Sequence, residues 1–472
     1  MVKYLNRRKM LAIGASALAA TKIPGLALAK QADGSFELRA AKNPKKLAGS
    51  NFAASDLWLY NGESPGPEIR LKQGQRAQIR FINELDQPTS VHWHGIRIDN
   101  AMDGVSGLTQ DPVAPGGTFD YDFVVPDSGT FWYHAHHSSW EQVARGLYGP
   151  LIVEEANPVV DRRHDFTLVI DDWRLADNGD LHLPSFGSLM DWSHAGRLGN
   201  WLTVNGQSQP RFQLNAGENY RLRLINASNA RILKIDLKAM DAELLGTDGF
   251  LFKKPRTAPS GHVDIAPAQR LDLLINPQRP DNNSQVFPLQ EISAGEPLKI
   301  ADFVVANSKT TRQIKPTILP QNDIEPASIG DAIRVPLLMT GGAMGQLDNI
   351  TYQGNLLERS DLQRTKQLWA FNGTANLAGS PLFAVKRGQS VVLEAENQTA
   401  WPHAMHIHGH HFQILSRNGV HLQNKDWRDT FIIDRDEKVV VAFVADNPGK
   451  WLLHCHMLEH AAAGMRTRFD VA

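Results

Sequence analysis

One cysteine, Cys455, stands in a chain of 472 residues. An intramolecular disulfide is therefore impossible, and an oxidising compartment must use this thiol for something else. No stretch after the N-terminus approaches the roughly 20 consecutive apolar residues that a membrane-spanning helix needs. A large charge of either sign is missing too. Residues 1–29 hold five of the 49 basic side chains and none of the 50 acidic ones, so the rest carries 44 basic against 50 acidic. That balance argues against a nucleic-acid partner. Long helical periods are also absent, and 26 prolines punctuate short apolar segments.

What is present begins at the N-terminus. Asn6-Arg7-Arg8-Lys9-Met10-Leu11 precedes a mildly apolar stretch, Ala12 to Ala20, and then Ala27-Leu28-Ala29. This pattern predicts a twin-arginine export signal over residues 1–29, read by the twin-arginine machinery and delivering the chain to the periplasm. Gly14, Ser16, Thr21 and Lys22 interrupt the apolar stretch, which argues against a membrane anchor. The remaining 443 residues exceed what one core spans, since domains run about 100 to 150 residues. Three domains are expected, over 30–157, 158–320 and 321–472.

A repeat supports that division. Pro67 to Gly74 leads to Asn83, Pro210 to Gly217 leads to Asn226, and Pro381 to Gly388 leads to Asn397, with a Gly-to-Asn spacing of nine each time. Alternation between them, as in Gln78-Ile79-Arg80-Phe81-Ile82, marks a half-buried strand. The fold class that follows is all-β, as antiparallel sandwiches. Nine and eleven residues after Asn83 stand His92 and His94, and at the same offsets after Asn397 stand His406 and His408. After Asn226 the same offsets give Ile235 and Leu237. The outer domains thus carry metal-type side chains where the middle one carries apolar filler. A second correspondence places His134-Ala135-His136 five residues after Gly129 and His454-Cys455-His456 five residues after Gly449. Domains one and three are expected to face each other across a shared site, with the middle domain as a spacer.

Ten of the 18 histidines fall in four clusters: His92-Trp93-His94, His134-Ala135-His136, His403 with His406 and His408, and His454-Cys455-His456 with His460. On a strand both imidazoles of a His-x-His pair project from one face. Four pairs supply eight nitrogens. Cys455 then points to the opposite face, where it can meet His403, His460 and the thioether of Met465 in a trigonal His2Cys site with an axial Met. The scattered His164, His182, His194, His262 and His421 read as ordinary core or surface residues.

In these motifs the chain resembles the multicopper oxidases, whose signatures H-x-H-G, H-x-H, H-x-x-H-x-H and H-C-H-x3-H-x4-M all occur here in order. The resemblance implies three cupredoxin-like Greek-key β-sandwich domains and four copper ions. It assigns His403, Cys455, His460 and Met465 to the type 1 copper and His92 with His406 to the type 2 copper. The type 3 pair takes His94, His134 and His456 on one ion and His136, His408 and His454 on the other. His137, His410 and His411 abut the motifs without a family role and read as supports behind the ligands or as surface residues. The activity implied is laccase-like: one-electron oxidation of a small reducing substrate coupled to four-electron reduction of O2 to water.

Proton supply needs an acid beside the cluster. Asp103, in Ala101-Met102-Asp103-Gly104, resembles the acid that follows the first signature in laccase-like relatives, the alternative being a turn residue. Ala461 stands where many bacterial relatives carry a further acid. Ten unclustered methionines, with Thr399 and Trp401 upstream of His403, disfavour a dedicated cuprous oxidase. Phenols or metal ions such as Mn(II) are the expected donors, near an exposed type 1 histidine, where Glu459 is either a steering carboxylate or simply solvated. The rivals are a copper-binding protein without turnover and a copper-free structural relative.

Overall fold

The computed structural model describes residues 35–278, 284–308, 312–345, 347, 349–377 and 379–472. The expected export signal, residues 1–29, lies outside them. Short strands assemble into three two-sheet sandwiches in chain order. In the first, Ser55–Tyr60, Phe36–Lys45, Arg76–Asn83 and Thr118–Val124 form one sheet. The other holds Ile69–Lys72, Tyr148–Glu154, Gly129–Ala135 and Val91–His94. Arg76–Asn83 shows why the layers form. Its residues alternate in exposure, so Ala77, Ile79 and Phe81 are buried while Arg76, Gln78 and Arg80 are wet.

The same strand order recurs. In the third sandwich one sheet runs Ala384–Val385, Arg466–Val471, Gly449–Cys455, His403–Ile407 and Thr430–Ile433. In the middle one it runs Arg211–Asn215, Leu298–Ala306, Ser284–Glu291, Leu233–Asp236 and His262–Ile265. Val91–His94 and His403–Ile407 thus correspond to Leu233–Asp236, where Ile235 is fully buried.

The repeated asparagines explain the repeated spacing. Asn83 Nδ2 donates to the carbonyls of Gln87 and Val113 at 2.9 and 2.8 Å. Asn226 does the same to Arg231 and Ile265, and Asn397 to Trp401 and Asp434. Each Oδ1 accepts from the backbone N–H two residues on, at Leu85, Ser228 and Thr399. One buried amide thus satisfies loop groups that would otherwise be buried unpaired, and it sets the path to the next strand. Gly74, Gly217 and Gly388 have φ of +80°, +83° and +86°, where a side chain would be strained.

Each sandwich has its own hydrophobic core, and the middle core takes in Leu57, Leu59, Trp132 and Tyr148 of the first. Buried arginines reinforce that joint: Arg221 pairs with Glu155 at 2.7 Å, and Arg223, itself paired with Asp165 of its own sandwich, donates Nη1 to Thr130 Oγ1 at 2.9 Å. Removing one partner of such a pair costs about 3–5 kcal/mol. Among the described residues no helix is long and apolar enough to cross a membrane.

Candidate metal centres

Strand register builds the site. Val91–His94 pairs with Gly129–Ala135 so that His92 lies opposite His134, and His403–Ile407 pairs with Gly449–Cys455 so that His406 lies opposite His454. Alternation sends the middle residues the other way. Trp93 packs in the first core and Cys455 in the third. The first and third sandwiches meet with their histidine faces together: the His94 and His406 rings stack at 3.8 Å, and those of His92 and His408 are 4.1 Å apart. The ring nitrogens of His136, His408 and His454 lie within 4.8 Å of one another, and His134 Nε2 lies 3.3 Å from His456 Nε2. All eight paired histidines are thereby brought to one locus between two domains.

Hydrogen bonds determine which nitrogens carry lone pairs, because carbonyl and carboxylate oxygens only accept. His92 Nδ1 donates to the Asp103 carbonyl at 2.8 Å, His406 Nδ1 to the Asp429 carbonyl at 2.9 Å, and His94 Nε2 to the Asp429 carboxylate at 3.2 Å. The remaining nitrogens, His92 Nε2, His406 Nε2 and His94 Nδ1, are buried without a partner. His408 Nδ1 donates to Asp103 Oδ2 at 3.0 Å and His454 Nδ1 to the Cys455 carbonyl at 2.9 Å. Their Nε2 atoms then face each other as lone pairs 3.1 Å apart, a repulsive contact that a shared cation would relieve. Burial holds His94, His136, His406, His408 and His454 neutral, lowering His454 to about 3 and the other four well below the usual range. Converging neutral imidazoles are the donor set that copper takes, so the residues fit the group the motifs imply.

On the opposite face, Cys455 Sγ lies 3.6 Å from His403 Nδ1 and 3.8 Å from His460 Nδ1. The other edges of these rings are held, His403 Nε2 by Thr399 Oγ1 at 2.8 Å and His460 Nε2 by the His194 carbonyl at 2.6 Å. Met465 is buried in the same core, and its carbonyl accepts from the Cys455 N–H at 3.0 Å. Burial pushes the Cys455 thiol up to about 12. Its ionisation therefore needs a cation beside it.

Asp103 is fully buried, and its carboxylate receives His408 Nδ1 and lies 3.2 Å from His92 Nδ1, which donates to the Asp103 carbonyl. Gly104 makes this possible. Its φ is +83°, and a Cβ there would overlap the Val91 carbonyl, so the turn packs directly under the His92 strand.

Several residues that carry the site gave no sequence signal. Asp429 is buried and receives Arg270 Nη1 and Nη2 at 2.9 and 2.6 Å. Arg270 comes from the middle sandwich, which is therefore more than a spacer: it braces the carboxylate that orients His94, on the residue whose carbonyl orients His406. His194, read from sequence as an ordinary histidine, comes from the same sandwich and caps His460. Its backbone does so, which no side-chain motif encodes. His410 Nδ1 donates to the His408 carbonyl at 3.2 Å, and His411 Nε2 lies 3.9 Å from Asp429, so both are buried supports. Two expectations fail. His460 is fully buried instead of exposed, because the chain around His194 covers it. Glu459 is neither solvated nor placed to steer a donor, since it is buried and accepts from Asn229 Nδ2 at 2.7 Å.

Family models of multicopper oxidases match residues 44–158, 164–291 and 351–472. Among curated proteins the chain is 28% identical over 440 residues to the multicopper oxidase MmcO of Mycobacterium tuberculosis, covering 87% of this chain and 82% of that one. It is 28% identical over 476 residues to laccase-1 of Botryotinia fuckeliana, covering 87% and 77%. A solved multicopper oxidase of Pseudomonas thermotolerans superposes with a TM-score of 0.81 at 30% identity, covering 93% of this chain and 99% of that one.

Proposed function

The chain belongs to the multicopper oxidase family, and from that premise we propose how its two metal centres divide the work of an oxidoreductase that uses O2 as acceptor. The type 1 copper is assigned to His403, Cys455, His460 and Met465. His92 and His406 take the type 2 copper, His94, His134 and His456 one type 3 ion, and His136, His408 and His454 the other, for four coppers per chain. The grouping of His403 with Cys455 and His460, and of His136 with His408 and His454, supports this division.

The observation that carries the reading is Cys455, whose side chain lies in the third core while His454 and His456, its neighbours in sequence, face the cluster. Bound copper would supply one-electron acceptance beside the Cys455 sulfur and four-electron reduction of O2 to water among the eight imidazoles. Cys455 and its two neighbours provide a covalent path for electrons between those places. Thr399 and the His194 carbonyl hold the two type 1 imidazoles with Nδ1 toward the sulfur. Asp103 orients His92 and His408 and serves as the proton-holding carboxyl beside the cluster.

The donor class is a phenol or related small reductant, as the name of the laccase relative suggests. Oxidation of a metal ion such as Mn(II) or Cu(I) is the alternative. It is disfavoured because Glu459 is engaged inward and offers no carboxylate to a cation. Residues 1–29 support export to the periplasm. The test is a panel of phenols, Mn(II), Cu(I) and Fe(II) on fully copper-loaded protein with O2 uptake recorded. Uptake with phenols at one O2 per four electrons is expected. Uptake with metal ions alone would select the alternative, and none with any donor would leave a copper-binding protein without turnover.

A further inference from the structure

His460 offers no edge to solvent. It is fully buried, and its Nε2–H is spent on the His194 carbonyl at 2.6 Å. His194 follows the short helix Leu189–Ser193 of the middle sandwich, and this segment is tied to the third: the Ala343 N–H donates to the Ser193 carbonyl at 2.6 Å, and Trp401 Nε1 donates to the Ala343 carbonyl at 3.0 Å. The His194 and Trp401 rings, both half-buried, stand 5.3 Å apart. Met190, in the same helix, and Met344, next in the chain to Ala343, are 64% and 78% exposed. His194 Nδ1 donates to the Met190 carbonyl at 2.9 Å, so in the neutral ring Nε2 keeps its lone pair.

We propose that the reducing substrate docks on His194 and Trp401 instead of on His460: His194 Nε2 accepts a hydrogen bond from a hydroxyl on an aromatic donor, Trp401 takes the donor's ring, and the electron enters across the His194 carbonyl. The proposal rests on the reading of His460 as a type 1 ligand. An acceptor nitrogen beside an aromatic face and exposed thioethers suits a hydroxylated aromatic. Among the described residues of the covering segment, no unpaired carboxylate is offered to a metal cation. Asp191, the carboxylate of the covering helix, is paired with Arg174 at 2.6 Å, and Lys366 adds positive charge 5.1 Å from the Trp192 ring. At each turnover the donor's O–H bond breaks, its proton passes to water, one electron crosses the carbonyl-to-imidazole hydrogen bond, and an aryloxyl radical departs. Four such events match the reduction of one O2.

The test is His194→Phe in the copper-loaded enzyme, which keeps the main-chain carbonyl and an aromatic ring but removes the acceptor. The blue absorption and the type 1 midpoint potential should stay at parent values. KM for 2,6-dimethoxyphenol should rise about five- to tenfold, the worth of one neutral hydrogen bond, while kinetics with ferrocyanide, which has no hydroxyl, stay within twofold. His194→Gln, whose amide oxygen accepts, should recover the phenol KM. Trp401→Leu should weaken binding of redox-inert 4-nitroanisole several-fold in equilibrium dialysis. An unchanged phenol KM in a fully blue His194→Phe enzyme overturns the proposal, as does an equal loss with both donors. If His194→Phe loses its blue band, an unchanged phenol KM in Trp401→Leu and failure to bind 4-nitroanisole overturn it instead. A parent enzyme with no blue band at all would sink the type 1 reading beneath it.

Discussion

Replacing Arg270 by Met asks whether the middle sandwich supports the cluster or merely separates its neighbours. Arg270 is fully buried, its Nε donates to the Thr130 carbonyl at 2.9 Å, and its two Nη atoms grip Asp429. Methionine fills much of that space without charge or donors. Asp429 would keep only the bonds from His94 Nε2 and Thr430 Oγ1, at 3.2 and 2.8 Å, inside a site that excludes water. Breaking a buried pair from one side costs about 3–5 kcal/mol. For a cooperative unit of sandwich-pair size that is on the order of 10 °C in Tm. Loss of a partner that orients metal ligands lowers metal affinity about 10- to 100-fold. Dialysis against graded chelator, with copper content and blue absorbance followed together, reads the second effect. Cluster copper should leave first while the blue colour persists, because His403, Cys455 and His460 make no contact with Arg270. Pairing Arg270→Met with Asp429→Leu should return most of the stability, since an apolar pair replaces an ionic one, yet copper affinity should stay low. A single variant within 1 kcal/mol of the parent, or loss of both copper types in step, refutes the bracing role.

Other outcomes follow from the same geometry. Cys455→Ser should bleach the blue colour and stop substrate oxidation, a hydroxyl being a hard, poor ligand for this site, and retained colour would remove the type 1 assignment. Asp103→Asn should keep all four coppers and normal reduction by substrate but slow reoxidation by O2 about a hundredfold, a defect that lessens at low pH; stopped-flow mixing of the reduced variant with O2 reads it directly. His410 and His411 are lowered to about 4 by burial. The unfolded chain therefore binds more protons, and stability present above about pH 6.5 should be lost as pH falls toward 4, on the order of 3 kcal/mol per histidine. Denaturation of His411→Phe across that range should show a shallower slope. Arg7→Lys with Arg8→Lys should strand the precursor in the cytoplasm, and its appearance in the periplasmic fraction would exclude the twin-arginine route.

Local order was legible from residue spacing alone. A period of two with glycine and asparagine nine apart encodes a strand, its turn and its loop anchor, and any strand so encoded puts His92 with His94, or His406 with His408, on one face and Cys455 on the other. Those are short-range consequences of backbone geometry. Asp103 was singled out as an acid near the cluster, but the contacts that support the site were not legible. Asp103 meets His408 across 305 residues of chain, His94 meets Asp429 across 335, and the His194 carbonyl reaches His460 across 266. Contacts of that kind arise only where separate sandwiches pack, and they involve single carboxylates, one arginine and a main-chain oxygen, none of which imposes a period on its own neighbours. Spacing therefore determined which imidazoles work in pairs. The packing of three sandwiches decided which nitrogen of each carries its lone pair, and that the His460 edge is closed to solvent, because both depend on partners that only the tertiary fold brings within hydrogen-bond distance.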